Sequence, residues 1–410
     1  MTREAGCAAR EAINEDIRME EMESIASRHG TFIGKKHEEG DIIFHHLRDL
    51  LAIELERLAS ESENESERHQ ILTHIQNDLG NNFVSQYVKD VGSMHFTISS
   101  QELNWMRRHE TSNWLDYLVY RYRFKIYPLQ RNLMNFPLHL LIEPASICNL
   151  RCIMCFQVDT TFTKKEYMGL MPWELFTTVV DQAKDRGCNA VTLASRGEPT
   201  LHRRFCQMLH YISDAGIMDL KINTHAGMMD EEMSHGILSA GINEIVFSVD
   251  AATKETYESI RVRGKFEEVV ANIERFHHIR EKHYPQSPSV TRITGIHVDE
   301  RQDIQQMQEF WSQRVDEVTI KEMAPRWDSY NNPLMEETRP CNFLWERMYV
   351  WYDGTVNPCD FDYKSHLTVG NAYESSLSEI WLGEAYTRLR KDHLAGERQS
   401  RYPCDRCPLV

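Results

Sequence analysis

Cys148, Cys152 and Cys155 lie in one short stretch, Ile147-Cys148-Asn149-Leu150-Arg151-Cys152-Ile153-Met154-Cys155-Phe156, at the spacing C-x3-C-x2-C. Three thiolates on one loop can ligate three corners of a cubic iron–sulfur cluster. Such a cluster keeps one iron open. An open iron can chelate a small molecule through an amine and a carboxylate and place it for inner-sphere electron transfer. A partial zinc site is the rival reading, but structural zinc closes four ligands. No fourth Cys or His lies nearby in the sequence.

A second group comprises Cys341, Cys359, Cys404 and Cys407. The spacing is C-x12-G-x4-C, then a long gap, then C-x2-C at the end of the sequence. Asp353-Gly354 between two apolar runs signals a hairpin that brings the first pair together, and the returning tail supplies the second. Four thiolates would make a closed site, and on spacing alone zinc and an iron–sulfur cluster remain equal alternatives. Of the other three cysteines, Cys188 and Cys206 read as small core residues and Cys7 lies near the N-terminus.

These side chains need a frame, and the hydrophobic pattern supplies one from Phe136 onward. Apolar strands are expected at 138–143, 190–194, 219–223, 244–249, 290–296 and 317–321. Between them, helices are expected from Pro172 to Gly187, over 205–212 with Gly216 after it, over 230–240 with Gly241 as stop, and over 266–282 and 304–311. Strands alternating with helices of this length imply a parallel sheet. The fold class is α/β, a partial (β/α)6 barrel with its active site at the C-terminal ends of the strands. Cys148 follows directly on the first strand, at that end.

Three regions are expected. Residues 1–135 form a helical N-terminal extension, a cap or interaction region, with an amphipathic helix from Ile42 to Leu58. A second helix runs from Trp114 to Tyr127, with Pro128 as its stop. Residues 136–325 form the barrel. Residues 326–410 form a small, separate α+β cluster-binding domain, with a hairpin over 347–358 and a helix from the Ser376/Glu379 capping box through about Leu389.

Composition narrows the partners. The net charge is −16, and residues 1–70, with 9 basic and 17 acidic side chains, carry half of it. So acidic a chain lacks the broad basic surface that grips phosphates, and nucleic acid is not expected as a partner. No stretch approaches the roughly 18 apolar residues of a membrane span, and residues 1–10 lack the apolar core of a signal peptide. A cytoplasmic protein is expected, and ten cysteines in that reducing setting point to metal or redox chemistry.

The loop at Cys148, Cys152 and Cys155 resembles the signature of the radical S-adenosylmethionine (SAM) superfamily. The resemblance covers residues 136–325. It implies a 4Fe–4S cluster that donates an electron to bound S-adenosyl-L-methionine, giving methionine and a 5′-deoxyadenosyl radical that abstracts hydrogen. Further positions match in order. Arg196-Gly197-Glu198-Pro199 resembles the family's Gly-Gly-Glu-Pro turn, which binds the methionine amine, with Arg196 in place of the first glycine. Asn223-Thr224-His225-Ala226-Gly227 resembles its Asn-Thr-Asn-Gly stretch. Ser248-Val249-Asp250 resembles its ribose-contacting segment, and Arg261 an arginine that pairs with the methionine carboxylate. The resemblance also implies an external one-electron donor such as flavodoxin or ferredoxin.

The C-terminal cysteines are similar to those of the Twitch domain, the shortened SPASM domain, with Val369-Gly370-Asn371 and Ile380-Trp381 fitting its pattern. This implies a second, auxiliary 4Fe–4S cluster. The spacing is similar to that of the alcohol-oxidising 2-deoxy-scyllo-inosamine dehydrogenase. A closed auxiliary cluster suits electron transfer, so the expected reaction is oxidation of a polar small molecule, a sugar or cyclitol. The alternative is crosslinking, epimerisation or oxidation of a peptide or protein, with residues 1–135 as a docking module. An electron-transfer or scaffolding protein is the non-enzymatic reading. Oxidation needs a base near the abstracted carbon, and the candidates are Lys321, Arg326 and His225.

Overall fold

A computed structural model of the 410-residue chain describes residues 23–27, 30–34, 40–60, 66–81, 95–324 and 328–408. The strands in chain order are β1 (Glu23–Ser27), β2 (Gly30–Gly34), β3 (His139–Ile142), β4 (Arg151–Cys152), β5 (Ala190–Leu193), β6 (Asp219–Thr224) and β7 (Glu244–Ser248). They continue with β8 (Arg261–Val262), β9 (Val290–His297), β10 (Glu317–Glu322), β11 (Arg347–Val350), β12 (Thr355–Asn357) and β13 (Gly370–Asn371).

The six strands β3, β5, β6, β7, β9 and β10 stand side by side in chain order, and every pair is parallel. Helices Trp173–Asp185, Phe205–Asp214, Glu231–Ser239, Phe266–His283 and Ile304–Ser312 alternate with them. The helix Trp173–Asp185 forms because Leu175, Phe176, Val179, Val180 and Ala183 share one buried stripe. Gly187, at φ 66°, lets the chain turn back toward β5.

The sheet does not stop at six strands. β11 lies parallel to β3, with Arg347 opposite His139, and β12 and β13 follow antiparallel. The C-terminal hairpin thus continues the barrel sheet, and its Met348, Val350 and Trp381 belong to the same apolar core as Leu140 and Ile142. At the other edge, β2 pairs antiparallel with β10, and β1 with β2. The reading of residues 1–135 as helical did not include this hairpin. Its two strands are five residues each, and hydrogen bonding to the β10 edge stabilises them more than any local pattern does.

Two other boundaries differ from expectation. The helix Trp114–Gln130 carries Pro128 inside its last turn and ends at Arg131, in the left-handed region at φ 62°. The expected helix through Leu389 is two helices, Leu377–Leu382 and Glu384–Leu394, separated by Gly383. The Ser376/Glu379 capping box opens the first as expected.

The helices Gly40–Ser60, Glu67–Asn81, Ser100–Arg107 and Trp114–Gln130 share a core of Leu47, Leu51, Leu72, Trp114, Leu118 and Tyr120 that reaches Ala190, the first residue of β5. Their polar contacts fall at strand beginnings. Asn104 donates to Glu317 at 2.5 Å, Arg108 reaches Ser289 O and Asp316, and the Phe124 ring meets that of His139. This region therefore closes the floor of the barrel, at the end opposite the cysteine loop.

His109 is part of that floor. Its Nδ1 lies 2.7 Å from Trp105 O and so carries the proton, while Nε2 accepts from Asn243 Nδ2 at 2.8 Å. Trp105 stacks on the ring at 3.7 Å. The neutral ring is fully used, and burial lowers its pKa to about 4. Between pH 6.5 and about 4 the unfolded chain binds the extra proton and the folded chain does not, so stability falls as pH falls through that window. Thermal unfolding should show this slope, and His109→Gln should flatten part of it. An unchanged slope would remove His109 as its source.

Candidate active site

β3 ends at Ile142, and residues 143–147 carry the chain across the top of the barrel to Cys148. This segment is fastened to the turn after β5. Glu198 N–H donates to Ile147 O at 2.9 Å. The Gln157 amide donates to Ser146 O at 2.8 Å and to Arg196 O at 2.7 Å. The approach is so close that a Cβ on Gly197 would overlap Ala145 O and Ile147 O. Glycine is required there for space, and the preceding Ser195 takes φ 134°.

Glu198 is almost fully buried and its position is over-determined. Oε1 accepts from Thr200 N at 3.2 Å, Thr200 Oγ1 at 2.6 Å and Thr224 Oγ1 at 2.7 Å, and Oε2 accepts from His225 N at 2.9 Å. Oε1 thus accepts three hydrogen bonds and Oε2 one, with His225 Nε2 a further 3.5 Å from Oε2, so Oε2 is the less occupied of the two oxygens.

His225 also has both nitrogens engaged. Gly227 N–H donates to Nδ1 at 2.9 Å, which puts the proton on Nε2, and Nε2 donates to Asn149 Oδ1 at 2.8 Å. Asn149 sits next to Cys148. His225, at the end of β6, is thus a buried strut under the cysteine loop and not a base open to the barrel mouth.

The other flank of the loop is held by β4 and β8, where Cys152 pairs with Arg261. Arg261 Nη1 donates to Cys152 Sγ at 3.8 Å, and its Nε lies 2.7 Å from Asp250 Oδ2. Asp250 is fully buried, and its Oδ1 accepts from Ile296 N at 2.7 Å. Asp250 therefore braces Arg261 and β9. Pro199 caps the turn as the first residue of a short 3-10 helix. Asn223 lies on β6 with a buried, unpartnered Oδ1, and Ser248 ends β7.

Lys321 is exposed at the end of β10, and Arg326 lies outside the described residues. Val318 and Ile320 pack into the core shared with the helices. The alternate residues Thr319 and Lys321 consequently point the other way, into the barrel, in register with Thr294 and Ile296. Ser248 aligns with Thr294 and Asn223 with Val246, so the upper lumen is lined by amide, hydroxyl and ammonium groups.

Sequence reasoning missed Glu143 and the partner it selects. Arg196 donates to Glu143 through Nε at 2.8 Å and Nη2 at 2.6 Å, with both side chains buried. Arg196 also donates to Tyr363 O at 3.0 Å and stacks over Trp351 at 4.2 Å, while Tyr352 N–H donates to Glu143 at 3.2 Å. The departure from the Gly-Gly-Glu-Pro pattern thus ties the turn to the C-terminal region. A lone Glu ending an apolar strand was the available signal.

Cys341, Cys359, Cys404 and Cys407 line one small cavity with Phe361, His393 and Arg398, and none is in a disulfide. Burial pushes Cys341 up to about 11 and Cys148 up to about 12, and raises Cys152, Cys359 and Cys404 as well. Thiolates so placed need a cation to compensate them, which is the condition a metal centre meets. Cys188 and Cys206 pack in or against the core, as expected.

Residues 142–310 match the Radical SAM superfamily and residues 341–408 match SPASM, an iron–sulfur cluster-binding domain. The chain carries a radical SAM domain followed by a SPASM domain. It is 28% identical over 166 residues to GTP 3',8-cyclase of Desulforamulus reducens, covering 40% of this chain and 50% of that protein. It is 25% identical over 302 residues to the tungsten-containing aldehyde ferredoxin oxidoreductase cofactor-modifying protein of Pyrococcus furiosus, covering 62% and 83%. The match thus spans about half the length of the cyclase. Among solved structures, BtrN in complex with AdoMet and 2-DOIA gives a TM-score of 0.47 at 18% identity, covering 66% of this chain and 93% of that one. Streptococcus suis SuiB bound to precursor peptide SuiA gives 0.49 at 14% identity, covering 90% and 89%.

The two domains imply SAM, a 4Fe–4S cluster that binds it, and auxiliary iron–sulfur ligation. The donor chemistry of the chain fits both groups: three thiols on one loop and four around one cavity. Among the described residues, no three His, Cys, Asp or Glu side chains meet as ligands of a single ion would. The thiolates of a cubic cluster each take a different iron and surround a volume. Among the described residues, no helix is long and apolar enough to cross a membrane.

The buried pair makes a quantitative expectation. Arg196→Met leaves Glu143 charged and uncompensated, and should cost about 3–5 kcal/mol of stability. The double change Arg196→Met/Glu143→Leu should recover much of that loss. Denaturant unfolding of the single and double variants measures it, and equal losses would mean the pair is not the source.

Proposed function

We propose that this radical SAM enzyme oxidises a hydroxyl-bearing small molecule, of the sugar or cyclitol class, to a carbonyl compound. The observation carrying this reading is the polar upper lumen, where Asn223, Ser248, Thr294, Thr319 and Lys321 offer hydrogen-bonding groups toward the C-terminal ends of the strands. Hydroxyls of a small polar substrate would hydrogen-bond with groups of this kind. The names of two relatives, for GTP and for a cofactor, also concern small molecules. The peptide reading draws less support, because the described helices of residues 40–130 pack at the barrel floor, far from the mouth.

In this proposal Cys148, Cys152 and Cys155 ligate the SAM-binding cluster, and Cys341, Cys359, Cys404 and Cys407 the auxiliary one. Bound SAM supplies a 5′-deoxyadenosyl radical that abstracts hydrogen. Glu198 Oε2, the less occupied oxygen, takes the ammonium of the cofactor, in the turn made possible by Gly197 and Pro199. Arg261, held by Asp250, sets the charge beside Cys152. Asn223 and Ser248 bind at the lumen wall. Lys321, in its neutral amine form, would take the hydroxyl proton of the substrate radical. His225 holds Asn149, and through it the loop. A flavodoxin- or ferredoxin-type protein delivers the first electron.

After anaerobic reconstitution, Cys148→Ala/Cys152→Ala/Cys155→Ala should lose one cluster and all 5′-deoxyadenosine formation. Cys404→Ala/Cys407→Ala should lose the other cluster and keep part of the cleavage. Lys321→Met should lower carbonyl formation about 100-fold or more while cofactor cleavage persists. If no polyol yields a carbonyl product with the wild-type enzyme, the oxidation reading fails. Zinc in place of iron at the first cysteine triplet would remove the cluster assignment itself.

A further inference from the structure

A row of aromatic rings runs from one cysteine group to the other. Phe156 directly follows Cys155. Its ring stacks on Tyr363 at 4.9 Å and 20°, and Tyr363 meets Tyr330 at 4.9 Å. Tyr330 meets Tyr402 at 5.7 Å, and Tyr402 stands two residues before Cys404. Phe156, Tyr363 and Tyr330 are buried, and Phe162 packs edge-on against the first two.

Polar contacts hold the three tyrosine rings still. Tyr363 OH donates to Asp159 Oδ2 at 2.8 Å, and Lys364 pairs with the same oxygen at 2.6 Å. Tyr330 OH donates to Asp362 Oδ1 at 2.8 Å and accepts from Lys364 N at 2.6 Å. Tyr402 OH donates to Tyr330 O at 3.3 Å. Asp362 also acts electrostatically on the thiols of Cys359 and Cys404, so the Tyr330 end of the row adjoins the second cysteine cavity. Packing alone would accept Leu or Met at these positions. Four consecutive rings in contact, the central two locked by carboxylates, point to something more.

We infer that Phe156, Tyr363, Tyr330 and Tyr402 form the electron-tunnelling bridge between the two cluster sites. The inference rests on the two-cluster oxidation proposed above. Oxidising an alcohol carbon removes one hydrogen atom, which ends in 5′-deoxyadenosine, plus one proton and one electron. That electron reduces the auxiliary cluster by one unit. Passed across the rings, it restores the electron that the SAM-binding cluster spent in splitting the cofactor, so no external oxidant is consumed. Iron–sulfur clusters work at potentials of about +450 mV and below, too low to oxidise a tyrosine. The rings therefore act as a tunnelling medium, with contiguous π systems replacing gaps between side chains.

The test needs no substrate. Holoenzyme with both clusters reduced is freed of reductant and mixed with excess SAM, and the auxiliary cluster is followed by freeze-quench electron paramagnetic resonance. In wild type the auxiliary signal should decay as its electron crosses to support a second cofactor cleavage. Tyr330→Leu and Tyr363→Leu should slow that decay by an order of magnitude or more, with the first burst of 5′-deoxyadenosine and the iron content unchanged. Tyr330→Phe and Tyr363→Phe keep the rings and should keep the rate. Tyr402→Leu, at a residue that is 40% exposed, tests the same bridge should the buried variants fail to fold. Wild-type decay in an iron-replete Leu variant overturns the inference. Failure to find a carbonyl product would overturn the oxidation reading and leave this measurement intact.

Discussion

One ion pair, withdrawn from water, determines how the functional segments meet. Glu143 directly follows the first barrel strand and Arg196 sits in the turn after the next. A charge buried alone is costly, so each requires the other. Arg196 then uses its Nη1 on Tyr363 O and its face on Trp351. Because a guanidinium is planar and its donors form a fixed fork, satisfying all these partners leaves the turn and the C-terminal region a single relative arrangement. The cysteine loop, zipped to the same turn by Gln157 and Glu198, inherits it.

The barrel floor has the same logic at larger scale. An open six-stranded barrel with charged residues at its strand beginnings would admit water from below. Helix Trp114–Gln130 and its neighbours close it, and they bring counter-charges with them. Glu102 is held by Arg121 and Lys125, while Asp316 meets Arg280 and Arg108. Within the sheet, Arg292 bridges Glu244 and Glu317. With the floor sealed, access to the lumen is confined to the mouth, and a carbon radical of the kind proposed would be shielded from water entering below.

At the mouth, rigidity and openness are divided between elements. Glu198 and His225 have most of their hydrogen-bonding capacity occupied, and Asp250 is tied to Arg261 and Ile296 N, which suits groups that orient a cofactor. The substrate side, at the ends of β9 and β10, carries more exposed side chains, Lys321 among them. Specificity for one polar molecule over another can change there without disturbing the frame that holds the clusters.

The C-x3-C-x2-C spacing pointed to a cluster with one open iron, because ligands on one loop are encoded by short-range order, whereas the four C-terminal cysteines left zinc and iron–sulfur equal on spacing alone. The hydrophobic periods likewise placed all six barrel strands and their helices to within a few residues, since each buries a contiguous stripe. The parallel docking of β11 on β3, the strut from His225 to Asn149 and the pairing of Arg196 with Glu143 were decided only by the tertiary structure. Arg196 meets a carboxylate 53 positions away and a carbonyl 167 positions away. No local pattern encodes which buried charge will find which partner. That choice is made by the sheet register, when desolvation leaves each polar group one place where its hydrogen bonds can be completed.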